Sequence, residues 1–362
     1  MILDIKSFVE ALVNSIGNSS KVFIVGHNSP DYDAIGSAMG LQALATSLGK
    51  EAYIVYDEDE TLDSKVKAII DNNKEQSKII GLKEYKKMMD SNSILIVTDT
   101  NRAYRICVKE DLNKFSKVFV IDHHDMDLNS SIRTLYSYIN TEKSSASEIV
   151  YEFIVAENKQ RAADKKPQIM ITPSVATMLL AGITLDTKRF KRNTTGRTFQ
   201  ISALLQRKKA DYKYINNVLF TENFEDYKRV SNLVVNGPIF RRYDDDEKCV
   251  SFNLNRRKNK TTYSTIDVAK AADAMLKFAD TTFALGCTGK NQVTISARSN
   301  DTERGPILDV GEVLMQLDKE RCGGNATSAG GLIPIEEDGF TKIKDVESAI
   351  IKIVNKQLRR KR

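Results

Sequence analysis

The sequence predicts an α/β protein in which a doubly wound, mostly parallel sheet is followed by a smaller C-terminal α/β domain. Its 362 residues are enough for two domains of ordinary size. A hydrophobic fraction of 41% and a charged fraction of 28% are typical of a globular protein with a sizeable core. Short apolar runs alternate with helical patterns through the first half, which indicates βαβ units. We place the domains at 1–235 and 236–362, because the sequence Asn-Gly-Pro breaks the helical pattern there.

Four apolar runs in the first half have the length and composition of buried strands. They are rich in β-branched and aromatic residues and cover 21–25, 52–56, 94–97 and 117–121. Such runs suit a parallel sheet that is covered on both faces. The segment between the first two runs is typical of a helix that stops at Gly49. The apolar face of this helix consists of Ile35, Ala38, Leu41, Ala45 and Leu48.

Helical patterns dominate the chain after residue 138. The first of them starts with a capping-box pattern, Ser145 to Glu148. The second half then has an α/β rhythm of its own. Further helices are predicted over 173–185, 199–207, around 214–235, over 265–279 and near 309–317, and strands over 249–255, 281–286 and 292–299.

All three histidines of the chain lie in patterns typical of metal sites. His27 is followed by Asp31 and Asp33 in the sequence H-N-S-P-D-Y-D, where a loop after a strand can turn all three toward one point. The other two histidines follow an aspartate in V-I-D-H-H. Two further aspartates each end an apolar stretch. The candidate metal-ligating and catalytic residues are therefore His27, Asp31, Asp33, Asp99, Asp122, His123, His124 and Asp186.

Three of these residues, His27, Asp99 and Asp122, each come just after a predicted strand or at its end. In open α/β sheets, ligands bind at this carboxyl edge of the strands. Imidazole and carboxylate groups form a ligand set for Mn²⁺ or a similar first-row ion, and so many carboxylates indicate two ions. Since paired ions hydrolyse phosphate esters, the sequence predicts a two-metal phosphoesterase.

Each motif also has an ordinary structural interpretation. Asp31 and Asp33 can cap the helix that follows them. Asp99 can be a turn residue after a strand, and Asp186 can end a helix. Capping leaves His27 unexplained, however, and two adjacent histidines at the mouth of a buried strand are costly without a role. Taken together, the motifs favour the metal site.

A second group of candidates lies in the second half. Arg298 follows a predicted strand in S-A-R-S, ahead of a stretch that contains Gly323, Gly324, Gly330 and Gly331. Glycines let backbone amides approach an anion closely, and a guanidinium can hold a phosphate by two parallel hydrogen bonds. A salt-bridged surface arginine beside a tight turn is the alternative, and the sequence leaves both interpretations open.

Composition excludes several classes of protein. The net charge of +6 mildly favours anionic substrates. No apolar run approaches the roughly 18 residues of a membrane span, and the first residues are not typical of a signal peptide. The four cysteines form no C-x-x-C pair, which favours reduced thiols in a cytoplasmic protein. We expect no long nucleic acid as a partner, because the sequence has no aromatic-rich basic groove.

These motifs resemble the DHH phosphoesterase superfamily, which is named for the sequence seen here as Asp122-His123-His124. The second half resembles the DHH-associated domain, so the similarity runs from about residue 21 to 332. Within the superfamily, the sequence is similar to the catalytic part of bacterial cyclic-di-AMP phosphodiesterases, with cues such as L-L-A-G-I-T-L-D-T-K-R-F and T-G-R-T-F. Those enzymes usually carry membrane and sensor domains ahead of this part. This chain is thus either a compact relative or a segment of a longer protein.

The resemblance implies two Mn²⁺ ions, with Fe²⁺ or Co²⁺ left open. One ion would be held by His27, Asp31 and Asp99. The other would be held by Asp33, Asp99, His123 and Asp186, with Asp99 bridging the two. Asp122 would orient a ligand imidazole, and His124 would face the scissile phosphate. The far end of the substrate would be held by Arg298, Gly323, Gly324 and Asn325.

One departure concerns Asn325, which stands where the family's glycine-rich signature normally has a histidine; an asparagine can bind a phosphate or base but carries no positive charge. The leading functional prediction is hydrolysis of cyclic di-AMP to linear pApA. The alternative is a nanoRNase/pAp phosphatase that acts on pApA, short oligoribonucleotides or pAp. A nucleotide sensor that binds without cleavage is a third hypothesis, and intact ligand positions argue against it. A homodimer is left open.

Overall fold

Two six-stranded sheets organise the chain, and each belongs to its own compact unit. The computed structural model describes residues 4–60, 62–126, 130–235, 238–243, 248–254, 262–288, 291–302, 305–335 and 343–360. The first unit is Met1–Thr221 and the second is Glu222–Arg362. The predicted fold class, a doubly wound sheet followed by a smaller α/β domain, is confirmed.

Short strands and longer helices alternate in the first unit. Its strands are β1 Val22–Val25, β2 Ala52–Tyr56, β3 Ile79–Gly81, β4 Ile94–Thr98, β5 Lys117–Asp122 and β6 Tyr136–Ile139. Its helices are α1 Ile5–Asn18, α2 Tyr32–Ser47, α3 Ser64–Asn73, α4 Leu82–Met88, α5 Ala146–Ala163, α6 Pro173–Asp186, α7 Gly196–Arg207 and α8 Tyr212–Tyr214. A π-helical turn, Ile215–Leu219, follows α8, so the segment predicted as one helix around 214–235 is divided.

The strands of this sheet run parallel in the order β3-β2-β1-β4-β5-β6. Helices cover both faces, and the side chains of β1 alternate between two apolar cores. Val22 and Ile24 pack with α1, α2, α5 and α6, whereas Phe23 and Val25 pack with Tyr85 of α4. The order reverses between β1 and β4, which is the topological switch point where ligands bind in such sheets.

Two helix starts in this unit have strong capping residues. Asp31 is the N-cap of α2, and its carboxylate accepts hydrogen bonds from the backbone amides of Asp33 and Ala34. The predicted capping interaction at the start of α5 is present in part, because the Ser145 hydroxyl accepts from the amide of Glu148. Such caps fix where each helix begins, and therefore where the first-turn side chains point.

The second unit is built on a mixed sheet in the order β13-β14-β10-β9-β8-β7, in which only the β8–β9 pair is parallel among the described strands. Its helices are α9 Phe224–Val235, α10 Thr265–Met275, α11 Val310–Leu317 and α12 Ile343–Arg360. Its strands are β7 Pro238–Tyr243, β8 Lys248–Leu254, β9 Thr281–Thr288, β10 Gln292–Ser299, β11 Asp301–Thr302, β12 Gly305–Pro306, β13 Cys322–Gly324 and β14 Ser328–Pro334. Among the described ranges, no helix combines the length and apolar character needed to cross a bilayer.

The division between the units falls earlier than the predicted boundary at 235/236. Helix α9 lies against α10, and Val230 and Leu233 share an apolar cluster with Val268. This packing places residues 222–235 with the second unit. Local sequence patterns do not contain this information, because the partner residues lie more than thirty positions along the chain. Residues 236 and 237 of the predicted Asn-Gly-Pro break lie outside the described residues.

Candidate metal centre

The candidate residues of the first unit meet at the carboxyl edge of its sheet. His27 follows β1, Asp99 directly follows β4, and Asp122 is the last residue of β5. Helices supply the others, since Asp31 precedes α2 and Asp186 ends α6. Because β1 and β4 flank the switch point, the two strands bring His27 and Asp99 to the same crevice.

The first group of potential ligands consists of His27, Asp31 and Asp99. The Nε2 atom of His27 lies 3.5 Å from Asp99 Oδ2 and 3.9 Å from Asp31 Oδ2. On the other side of the ring, Nδ1 lies 2.7 Å from the carbonyl oxygen of Asn28. In the neutral ring that a metal ion would require, a proton on Nδ1 satisfies that carbonyl and leaves Nε2 as the potential ligand atom.

The second group consists of Asp33, Asp99, His123 and Asp186. The Nε2 atom of His123 lies 2.9 Å from Asp186 Oδ2, 3.5 Å from Asp99 Oδ1 and 4.0 Å from Asp33 Oδ2. His124 forms a third group with Asp99 and His123, and its Nδ1 lies 3.7 Å from Asp99 Oδ1.

Asp99 is common to all three groups. Its backbone has a positive φ of 60°, a conformation that aspartate and asparagine tolerate better than most residues. Its amide donates to the carbonyl of Ile121 on the neighbouring strand at 3.0 Å, which holds the strand end in place. This geometry puts one buried carboxylate between His27 on one side and His123 on the other.

Asp33 is fixed by the start of α5. Its two carboxylate oxygens accept hydrogen bonds from the backbone amides of Ala146 and Ser147, at 2.7 and 2.9 Å. The amides at a helix N-terminus stabilise a negative charge, so this buried carboxylate has a favourable anchor. Asp33 therefore does not cap α2, the helix in which it lies. It binds the N-terminus of α5 instead.

Asp122 contacts the imidazole of His124. The prediction is that Asp122 orients an imidazole that binds a metal ion, whereas His124 is assigned to the phosphate. Asp122 Oδ1 lies 2.8 Å from His124 Nδ1 and also accepts from the backbone amide of His123 at 2.8 Å. Its Oδ2 accepts from the side-chain amide of Asn101 at 2.7 Å. The fully buried Asp122 therefore shapes the D-H-H loop and sets the orientation of His124.

Asn101 is a residue that the sequence analysis missed. It is buried, and its side-chain oxygen accepts from the Ser131 hydroxyl at 2.9 Å while its amide nitrogen holds Asp122. An asparagine two positions after Asp99 has no chemistry that marks it in a sequence. Its role depends on a partner that is 21 residues away, which only the fold reveals.

The donor atoms of the cluster fit metal ions. Asp99 Oδ1 and His123 Nε2 are buried and have no hydrogen-bond partner among the described residues. His123 Nε2 also lies 2.9 Å from Asp186 Oδ2, which is an ion-pair distance when the ring is protonated. Buried polar atoms are rarely left unpaired in a folded protein. Imidazole nitrogens and carboxylate oxygens that point at a common volume are suited to a first-row divalent cation.

The electrostatics of the cluster favour positive charge. Burial lowers the pKa of His27, but the carboxylates of Asp99 and Asp31 outweigh burial and raise this pKa to about 9. The partly buried position of Asp31, together with the negative charges of Asp99 and Asp186, raises the pKa of Asp31 to about 6. Burial likewise raises the pKa of Asp186. Asp31 and Asp186 therefore bind protons more tightly than usual, whereas the imidazoles of His123 and His27 outweigh burial and lower the pKa of Asp99. A divalent cation would relieve the repulsion among these carboxylates.

Three of the four candidate residues of the second unit, all but Asn325, line an open groove of roughly 510 Å³. Arg298, Gly323 and Gly324 line this groove. The guanidinium of Arg298 donates from Nε to Asp273 Oδ1 at 2.9 Å and from NH1 to the Ser296 hydroxyl at 3.0 Å. The salt-bridged arginine, which the sequence left open, is therefore present, and Arg298 nevertheless lines the groove.

Two members of the glycine-rich stretch have structural explanations. Gly324 has a φ of 146°, and an added Cβ would collide with the Cα of Ala329 and the carbonyl of Ser328 on the adjacent strand. Asn325 closes its own turn, because its side-chain oxygen accepts from the amides of Thr327 and Ser328 at 3.1 and 2.8 Å. By contrast, an added Cβ at Gly323 would meet no atom within 4 Å, so space for a ligand exists beside Gly323.

The chain is thus an α/β protein with a cluster of imidazoles and carboxylates at the switch point of a doubly wound sheet. Residues 21–183 match the DHH family, N-terminal domain, which confirms the predicted resemblance. The chain is also similar to the cyclic-di-AMP phosphodiesterase GdpP of Bacillus subtilis (strain 168), with 29% identity over 327 residues. That alignment covers 88% of this chain and 46% of GdpP, so the chain spans about half the length of that relative.

Two further similarities extend over nearly the whole chain. The bifunctional oligoribonuclease and PAP phosphatase NrnA of Mycoplasma genitalium is 25% identical over 356 residues, which are 96% of this chain and 98% of NrnA. The crystal structure of an exopolyphosphatase-related protein from Bacteroides fragilis superposes with a TM-score of 0.74 and 18% identity, covering 98% of this chain and 97% of that one. The structural likeness supports the fold.

Proposed function

We propose that this chain is a two-metal phosphodiesterase that hydrolyses cyclic di-AMP to linear pApA. The observation that carries the proposal is the position of Asp99, a buried carboxylate shared by two groups of potential ligands. A carboxylate shared in this way is suited to bridge two cations, which is the arrangement used for phosphate ester hydrolysis. The similarity to GdpP, which is named a cyclic-di-AMP phosphodiesterase, supports the choice of substrate.

Two Mn²⁺ ions are the cofactors that we propose, and Fe²⁺ or Co²⁺ have similar ligand preferences. The first ion would be held by His27, Asp31 and Asp99. The second would be held by Asp33, Asp99, His123 and Asp186. When bound, such a pair supplies an activated water near neutral pH and offsets the negative charge of the phosphate.

His124 is the residue that we assign to the scissile phosphate. Its side chain is 46% exposed, in contrast to the buried Asp122 beside it. Because Nδ1 faces the Asp122 carboxylate, Nε2 is the nitrogen that is available to a substrate oxygen. Asp122 holds the ring in that orientation, and Asn101 in turn holds Asp122. When the ring carries both of its N–H protons, a hydrogen bond from Nε2 would stabilise negative charge that develops on the phosphate.

Arg298 and Gly323 are the residues of the second unit that we propose as contacts for the rest of the substrate. Arg298 shares its charge with Asp273, so its contribution is a directed hydrogen bond more than a net positive charge. Asn325 and Gly324 would act by shaping the turn that presents Gly323.

Product analysis tests the proposed substrate. Purified protein with Mn²⁺ is incubated separately with cyclic di-AMP, pApA and pAp, and the products are separated by chromatography. We expect cyclic di-AMP to be converted to pApA. If pApA or pAp is consumed while cyclic di-AMP survives, the proposed substrate is wrong.

A second candidate function is an oligoribonuclease and pAp phosphatase. The observation that favours it is the extent of the similarity to NrnA, which spans nearly the full length of both chains, whereas the similarity to GdpP spans only part of GdpP. The same substrate panel separates the two functions, because the candidate metal ligands serve either one.

Mn²⁺ is expected to stabilise the first unit against unfolding. A ligand at 100 times its dissociation constant contributes about 2.7 kcal/mol to the free energy of unfolding, which raises the melting temperature of a unit of this size by several degrees. Scanning calorimetry after treatment with EDTA, and again after addition of Mn²⁺, measures the shift. Equal melting curves with and without Mn²⁺ would contradict a metal centre made of these residues.

A further inference from the structure

The segment after Asp186 has an unusual backbone. Lys188, Arg189 and Phe190 are consecutive, and their φ angles are 47°, 59° and 61°. A left-handed conformation costs a residue with a side chain about 1–2 kcal/mol. Ending a helix requires only one such residue, so helix termination does not explain three. Backbone strain of this kind persists where the surroundings enforce it, and it is frequent at functional sites.

Several contacts hold the left-handed segment in place. The amide of Arg189 donates to the Thr184 carbonyl at 2.8 Å, and the amide of Phe190 donates to the Thr187 hydroxyl at 3.0 Å. The guanidinium of Arg189 lies over the ring of Phe220, 5.1 Å from its centre, and donates to the Phe220 carbonyl at 3.3 Å. The strained turn is therefore fixed at its backbone and at one side chain.

The turn positions an aromatic pair at the surface. The ring of Phe190 stacks on that of Phe199, with 5.5 Å between the centres and 22° between the planes. Phe190 also packs against the core, whereas Phe199 is 55% exposed. Phe190 thus supports one side of the Phe199 ring, and part of that ring remains open to solvent.

Helix α5 contacts both the residues next to Phe199 and the candidate metal centre. The hydroxyl of Thr198 donates to Glu148 and the guanidinium of Arg197 donates to Glu152, both at 2.8 Å. These glutamates belong to α5, whose first amides hold Asp33. On the other side, Phe190 is four residues from Asp186, so their Cα atoms are within about 15 Å.

The sequence around the aromatic pair is rich in basic residues, of which Arg197 is paired with Glu152 and Arg189 contacts Phe220. Five cations fall within ten residues of chain, namely Lys188, Arg189, Lys191, Arg192 and Arg197. Exposed aromatic rings among basic side chains are the combination that binds nucleotides, because bases stack on the rings while the cations attract phosphates.

We propose that Phe199, supported by Phe190, is a stacking surface for one nucleobase of the substrate. This inference rests on the proposed nucleotide phosphodiesterase function and assigns a base-binding subsite to the first unit. The left-handed turn connects Asp186 to Phe190, whose ring supports Phe199.

The test compares two substrates in several variants. The substrates are cyclic di-AMP and the same sugar–phosphate ring without its adenines. We expect Phe199→Ala to lower the ratio of the two kcat/KM values about 10-fold, which corresponds to about 1.4 kcal/mol and is typical of one base on an aromatic ring. Phe199→Tyr keeps a ring and should hold the ratio within about twofold of the wild type. Phe224→Ala, which removes a phenylalanine that is 72% exposed in the second unit, should leave the ratio unchanged.

An unchanged ratio in Phe199→Ala would overturn the stacking surface. A wild-type protein that consumes pApA or pAp and leaves cyclic di-AMP intact would instead overturn the proposed substrate. In that case the comparison is repeated with pApA and its base-free analogue, and the ratio decides the stacking surface separately.

Discussion

Asp99→Asn is expected to lower kcat by at least about 10³-fold, since loss of a shared metal ligand removes several kcal/mol of transition-state stabilisation. Asparagine keeps the shape of the side chain and tolerates the positive φ of residue 99, so the fold should survive. What the substitution removes is the negative charge between His27 and His123. Steady-state kinetics with saturating Mn²⁺ measure the effect, and calorimetry should show a weakened Mn²⁺-dependent shift.

A matched control is available at the same edge of the sheet. Asp59 follows β2, and its side chain is 80% exposed and pairs only loosely with Lys83, at 3.9 Å. Asp59→Asn makes the same change of charge outside the cluster, and we expect kcat to stay within about twofold of the wild-type value. Wild-type turnover in a folded Asp99→Asn protein would show that the shared carboxylate is not the centre of the chemistry.

The strands that the sequence predicts correctly are those buried on both faces. The runs at 52–56 and 117–121 become β2 and β5 with nearly the same bounds, because a strand between two helical layers must be apolar throughout. The edge strands β3 and β6 are not predicted. The first has only three residues, and the second is partly exposed, so neither has the continuous apolar composition of a central strand.

The candidate metal ligands are predictable for a different reason. Histidine is rare in this chain, and strand ends converge, so residue type and position together indicate the cluster. The residues that hold the cluster are not predictable in this way. Asp33 is held by backbone amides 113 and 114 residues away, and Arg298 is paired with Asp273, which is 25 residues away. Such partners follow from tertiary packing, and no local pattern indicates them.

The close packing behind Asp33 leaves no room for a side chain at position 182. Gly182 lies in the middle of α6, and a Cβ added there would come within 3.0 Å of the Ser147 hydroxyl and of two atoms of Asp33, Oδ1 and Cα. We expect Gly182→Ala to lower the free energy of unfolding of the first unit by about 2–3 kcal/mol, since the added methyl has no room. The same clash displaces a candidate metal ligand, and a misplacement of about 1 Å can cost about 100-fold in kcat. Chemical denaturation and steady-state kinetics on one preparation measure both effects.

Gly17→Ala separates this clash from the general effect of replacing glycine in a helix. Gly17 lies in α1, and an added Cβ would meet no atom within 4 Å. Alanine there should raise the free energy of unfolding by about 0.5–1 kcal/mol, because glycine loses more backbone entropy on folding. The two substitutions are chemically identical, so opposite signs can only come from what surrounds each glycine. If Gly182→Ala were as stable and active as the wild type, then α2 and α6 would have to move apart without disturbing Asp33. In that case the packing of α2 against α6 would not fix the position of Asp33.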